Sequence, residues 1–191
     1  MGGNLERELR SRRSGFHPAR LGKHPSGSKP NLRSLRRGRV YSFADWPNPS
    51  IPEVAAGVYT VWNEDLFLYV GMSGRGWSAD QLNQLKGQGG KKRGLVTRLA
   101  SHSSGRRSGD QFCVYVCDRL VIPQLSRLQL KDIGNARLSL DQMTRQYIHD
   151  KLSYRYVLTD SGLEAFELEA EIKSGALTPH GLPRLNPGKG P

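Results

Sequence analysis

The sequence predicts an α+β protein in which helices flank a small mixed or antiparallel β-sheet. Three observations predict it. Two β-rich runs at residues 57–71 are separated only by a polar pair, Glu64-Asp65. Amphipathic stretches alternate with further strand-like runs through residues 93–174. The resulting order is strand, strand, helix, strand, helix, strand, helix, which suits one sheet covered by helices. The compact domain is expected over 57–187. A basic, disordered arm over 1–40 and an irregular lead-in over 41–56 precede it, and a tail over 188–191 follows.

Each element has its own signal. Residues 1–40 are rich in Arg, Ser, Gly and Pro and show no apolar period, which predicts disorder. They hold eleven Lys/Arg against two Glu, so they carry +9 of the formal charge of +12. Such an arm attracts polyanions by counterion release. The lead-in YSFADWPNPSIPEVAA contains three prolines, with Tyr41, Phe43 and Trp46 expected to pack on the domain. GVYTVWN and LFLYVG form the hairpin. Residues 73–92 are rich in Gly, Gln and Lys and read as a loop. GQGGKKRG within and beyond that loop lacks the Gly-x4-Gly-Lys-Ser/Thr order of a phosphate loop. RGLVTRLASHS predicts a helix over 93–103, and the alternation in QFCVYVCD predicts a third strand. Residues 120–152 are mostly helical, with a capping box expected between Ser139 and Gln142. SYRYVLTD is the fourth strand and LEAFELEAEIKS the last helix.

Several classes are excluded. No apolar run approaches the ~18–20 residues of a membrane helix. No secretory apolar region follows the N-terminus, so a cytoplasmic protein is expected. Cys113 and Cys117 lie four apart. On a strand that is ~13 Å, beyond the ~7 Å a disulfide tolerates, so two buried free thiols are expected.

Three places carry candidate chemistry. On a helical wheel starting at Leu163, Glu169 falls at roughly 240°, between Ala165 at about 200° and Phe166 at about 300°. Glu164, Glu167 and Glu171 fall on the polar side. A carboxylate on an apolar arc needs a partner or a metal. Arg98 and His102, four apart in RLASH, share a helix face beside Leu95 and Leu99, which suits the rim of a phosphate-binding cleft. Tyr59 and Tyr69 each point away from their chain neighbours, and a nearby glycine leaves room for close approach.

These pieces occur together in one family. GVY at 57–59 and YVG at 69–71, ten residues from Tyr to Tyr, resemble the GIY-YIG nuclease signature with two Ile-to-Val changes. RLASH resembles the family's helical Arg motif, in the Arg-x3-His form of its restriction-endonuclease branch. LEAEIK resembles the helix bearing the metal-ligand Glu. The Asn of PRLNPG resembles the one that closes the family domain. The resemblance covers 57–187. Met72 stands where the family often has Lys, and the stretches before Arg98 and after Glu169 are longer than usual.

The resemblance implies metal-assisted hydrolysis of DNA phosphodiester bonds in restriction, phage defence or mobile-element biology. The alternatives are an inactive nucleic-acid-binding module on the same fold or a DNA-repair nuclease. It implies Mg²⁺ or Mn²⁺ on Glu169, with Glu167 as the other choice should the helix register differ. Arg98 would offset phosphate charge and Tyr59 would act as general base. Arg98, the metal and His102 would lower the Tyr59 pKa. Tyr69 would orient the water or the phosphate, and Asn186 would support the metal shell or the tyrosines. Lys91, Lys92 and Arg93 would contact double-stranded DNA. Cutting both strands with one site per chain implies a homodimer on DNA or successive nicks.

Overall fold

A computed structural model describes residues 28–186. The expected α+β architecture is present. In chain order the elements begin with helix α1 (Ser28–Arg37), the short strand β1 (Tyr41–Ser42), a 3-10 turn (Phe43–Asp45), and the long strands β2 (Val54–Asn63) and β3 (Leu66–Ser73). Helix α2 (Ala79–Gly87), strand β4 (Arg93–Gly94) and helix α3 (Leu95–Ser104) follow. Then come α4 (Gln111–Val116), α5 (Arg127–Gly134), α6 (Leu140–Lys151), β5 (Ser153–Thr159) and α7 (Gly162–Lys173).

The sheet runs β1-β5-β2-β3 in antiparallel order, and β4 pairs in parallel with the start of β2. Residues along β2 alternate between two cores. Tyr59 and Val61 face a layer containing Leu95, Leu99, Phe112, Val116 and Ile148 from α3, α4 and α6. Val58 and Trp62 face the opposite layer, with Leu35 of α1 and Ala165, Leu168 and Ile172 of α7. Alternation at period two on a strand buried on both faces makes β2 almost wholly apolar.

The hairpin is as expected, but its register is the informative part. Tyr59 pairs with Gly71 and Val61 with Tyr69, with a bulge after Val61. A Cβ at residue 71 would overlap the Tyr59 hydroxyl and crowd the Tyr69 ring. A Cβ at residue 57 would overlap the Val157 carbonyl of β5. The two glycines thus serve different ends: Gly71 makes room for a phenol and Gly57 for a neighbouring strand.

Several expectations are corrected. QFCVYVCD is a helix followed by a π turn (Cys117–Val121), because Asp110 caps it: its side chain accepts from the Phe112 and Cys113 amides. Phe112, Cys113, Val116 and Cys117 are buried, a helical period that the alternation concealed. Both cysteines are free and buried as expected, but one helical turn apart rather than along a strand. The 73–92 segment is not all loop, since Ser78 and Gln81 form a capping box at the start of α2. The helix after Ser139 starts where expected, yet Ser139 makes no side-chain cap; a box forms at Ser126 and Gln129 instead.

The arm expected over 1–40 is structured in its last part. Residues 1–27 and 187–191 lie outside the described residues, but 28–37 are helical and Leu35 is fully buried. The Leu35 carbonyl accepts from Thr60 Oγ1 at 3.1 Å, tying α1 to the middle of β2. The lead-in packs Phe43 fully and Tyr41 and Trp46 partly, as expected, although β2 already begins at Val54. Among the described residues no helix is long and apolar enough to cross a membrane.

Leu35→Ala is expected to lower unfolding stability by about 2–5 kcal/mol, as buried Leu-to-Ala changes do. Urea denaturation measures it, and a change within about 0.5 kcal/mol would show that α1 is dispensable.

Candidate active site

The centre of the site is a buried chain of three side chains. Tyr59 Oη lies 2.6 Å from His102 Nε2, and His102 Nδ1 lies 2.7 Å from Asp110 Oδ2. Tyr59, His102 and Asp110 are each at most 3% exposed. Three elements deliver them: β2 carries Tyr59, α3 carries His102 and the cap of α4 carries Asp110. Phe112, two residues beyond Asp110, packs 4.5 Å from the His102 ring and 5.1 Å from the Tyr69 ring, centre to centre.

Protonation follows from this geometry. Burial pushes the Tyr59 phenol well up, and the neighbouring Tyr69 adds to it. Arg98 opposes the rise, while Asp110 and Glu169 reinforce it. Burial also lowers His102, overcoming the opposing pull of Asp110. Burial would raise Asp110, but hydrogen bonds from His102, Ser101 and the Cys113 amide leave it below its ordinary value. The consistent assignment is an ionised Asp110, a neutral His102 with its proton on Nδ1, and a phenol donating to Nε2. His102 is therefore a proton acceptor for Tyr59. The expectation that it supplies positive charge to lower the Tyr59 pKa is corrected, since both shifts run the other way.

Tyr69 is half-buried at the edge of this group, its ring centre 6.3 Å from that of Tyr59. Burial, then Glu169 and Asp110, push its phenol up to about 12, against Arg98. The charges acting on the two phenols thus include Arg98 from α3 and Glu169 from α7. Arg98 is exposed on the same face of α3 as His102. Glu169 is half-buried and its Oε1 lies 3.0 Å from Lys173 Nζ one turn on. The apolar arc read around Glu169 is two separate surfaces. Ala165, Leu168 and Ile172 are buried, whereas Leu163 and Phe166 are 64% and 41% exposed. Glu169 stands at the boundary between them. Glu167 is exposed and falls on the polar side.

Asn186 holds a strand. Its Oδ1 accepts from the Val70 amide at 2.8 Å and its Nδ2 donates to the Val70 carbonyl at 2.9 Å. The Arg184 and Leu185 amides donate to Phe67 and Leu68 carbonyls, so residues 184–186 run along the outer edge of β3. Asn186 thereby supports Tyr69 and Gly71 through their shared backbone. Lys91, Lys92 and Arg93 are exposed on the segment leading into α3.

Among the described residues no three His, Cys, Asp or Glu side chains gather as a ready-made metal cage. A single carboxylate such as Glu169 suits Mg²⁺ or Mn²⁺, hard ions that keep most of their waters. Glu169 can be that ligand if Lys173 swings away. Comparison of the chain with protein-family models, curated proteins and solved structures finds no match.

Asp110 and Phe112 are the site residues that sequence reading missed. The available signal was an Asp directly before an apolar run, which is a helix N-cap pattern. Because burial lowers His102, the folded chain refuses a proton that the unfolded chain accepts near pH 6.5. The stability of neutral His102 is fully present above that pH and declines as pH falls below it. Long-range ¹H–¹⁵N NMR at pH 7 is expected to show a neutral, Nδ1-protonated His102 with a midpoint below 6.5. An imidazolium at pH 7 would contradict the assignment.

Proposed function

We propose that this chain is a GIY-YIG-type, divalent-metal-dependent DNA endonuclease. The observation that carries the reading is the Tyr59–His102–Asp110 chain, set beside Tyr69 and within electrostatic range of Arg98 and Glu169. A phenol buried in this way is too weak an acid to ionise alone near neutral pH. A neutral imidazole 2.6 Å from its oxygen supplies the missing acceptor.

The proton path follows. A water attacking the phosphorus gives a proton to Tyr59 Oη while Tyr59 passes its own to His102 Nε2. The Asp110 carboxylate then faces an imidazolium and stabilises it. The new bond is water oxygen to phosphorus, and the broken one is phosphorus to the 3′ oxygen, which takes a proton from solvent. Arg98 offsets charge developing on the non-bridging oxygens. Tyr69, the more exposed phenol, orients the water. A cation on Glu169 would supply Lewis-acid stabilisation to the leaving oxygen.

The remaining proposals rest on the same reading. The partner is double-stranded DNA, contacted by Lys91, Lys92 and Arg93 and by the basic N-terminal residues. A homodimer or successive nicks would complete duplex cleavage. Restriction, phage defence or mobile-element transfer are the biological settings that suit such a chemistry.

Plasmid nicking with and without Mg²⁺ tests the proposal. Glu169→Gln is expected to abolish Mg²⁺-dependent nicking while the melting temperature stays within about 2 °C of wild type. Tyr59→Phe is expected to slow cleavage by about 10²–10⁴-fold with DNA affinity in EDTA unchanged. Wild-type nicking by the Gln variant would refute the metal site. Equal losses of binding and cleavage in the Phe variant would refute the base. A wild-type chain that binds DNA and never nicks it would be the inactive binding module.

A further inference from the structure

The start of α7 carries a second feature that the cleavage reading does not use. A cleft of about 630 Å³ opens between the loop after β3 and the start of α7, lined by Arg75, Trp77, Ser78, Leu163 and Phe166. Its walls are mostly apolar. Leu163 and Phe166 are large side chains left 64% and 41% exposed on a helix that buries Ala165, Leu168 and Ile172. Arg75 sits over the Phe166 ring with its guanidinium carbon 5.0 Å from the ring centre. A neighbouring cleft of about 300 Å³ shares Arg75 and Trp77 and adds Gln84, Gln88 and Arg93. The acidic residues in the first turns of α2 and α7, Asp80 and Glu164, line neither.

The cleft is held in shape by backbone. The Trp77 amide donates to the Gly74 carbonyl at 2.9 Å, and the Gly162 amide donates to the Trp77 carbonyl at 2.8 Å. A Cβ at residue 162 would overlap the Gly74 carbonyl, so the close approach of loop and helix depends on that glycine. Phe166 and Glu169 are three apart on α7, which makes them neighbours on the helix surface at ~5–6 Å between Cβ atoms. An occupant of the cleft would therefore lie beside the candidate metal ligand.

We infer that this cleft binds one unpaired nucleotide of the DNA adjoining the cleaved phosphate, with its base stacked on the Arg75–Phe166 pair and its backbone held by Arg75 and Arg93. The inference rests on the nuclease reading and names a substrate for it: DNA with an unstacked or single-stranded base near the scissile bond. Exposed aromatic and apolar walls with a cationic, acid-free rim complement a base and its phosphate. Guanidinium planes and phenyl rings both stack bases without choosing among them. The amides of Gln84 and Gln88 can meet base edges.

The test is fluorescence anisotropy in EDTA, where no cleavage occurs. The probes are a labelled hairpin duplex with a short unpaired thymidine tail and the same duplex with an abasic tail. The wild-type chain is expected to bind the thymidine tail roughly 5- to 150-fold more tightly. Phe166→Ala, a change at an exposed position, is expected to remove that difference. Equal wild-type affinity for the two tails would overturn the inference and leave the aromatic walls to a protein side chain. A preference that survives Phe166→Ala would overturn it as well. The wild-type comparison needs no variant to fold. A chain that nicks plasmid but ignores the tail base loses only the cleft. One that prefers the thymidine tail without nicking loses only the nuclease.

Discussion

Everything in the site depends on one pairing, Tyr59 opposite Gly71 across an antiparallel hairpin. The phenol needs the space that a side chain at 71 would fill. With that space it lies flat against β3 and its hydroxyl reaches α3. A one-residue slip would send Tyr59 to the α7 side of the sheet and Val58 toward His102. Register is held from both flanks, by β5 along the other edge of β2 and by residues 184–186 along the outer edge of β3. The bulge after Val61 falls on the turn side of the Val61–Tyr69 pair and leaves the Tyr59–Gly71 pair in regular register.

Burial then sets the chemistry. Tyr59, His102 and Asp110 are each at most 3% exposed, so each group takes the protonation state its neighbours support. The result is a single charge, on Asp110, passed outward as polarisation through a neutral ring to a neutral phenol. A half-satisfied network of this kind would be costly. Here each ring nitrogen has a partner, and Asp110 spends its second oxygen on capping α4. The same residue thus positions a histidine and starts a helix, which couples local folding to the site.

Legibility in the sequence varied with the range of the interaction involved. The hairpin was readable because its turn and alternation are local. Arg98 and His102 were readable because a helix makes residues four apart into neighbours. The 111–118 segment was misread because FCVYV satisfies a period of two and a period of 3.6 equally over so few residues. Asp110 could have settled it, since a carboxylate before an apolar run marks a helix start. Its contact with His102 depends on how α4 folds back on α3, which no period encodes. The wheel puts Glu169 in the middle of an apolar arc and counts Leu163 and Phe166 in that arc, whereas their exposure makes its position a boundary. Hydrophobicity reports what a surface prefers, and here part of that surface is left open. Asn186 was selected by resemblance alone, and the bond it makes to Val70 was not readable from spacing.

The clamp on Val70 has a consequence in time. Asn186 and the strand it grips are 116 residues apart in sequence. A chain emerging in order can form the hairpin early, and can bury Tyr59 once α3 and α4 exist. The outer edge of β3 stays bare until residues 184–186 have been made, and with it the alignment of Tyr69 and Gly71. The last described residues therefore act as a closing stitch. Whatever the phenols do to their substrate, they are placed to do it only once residues 184–186 have been synthesised.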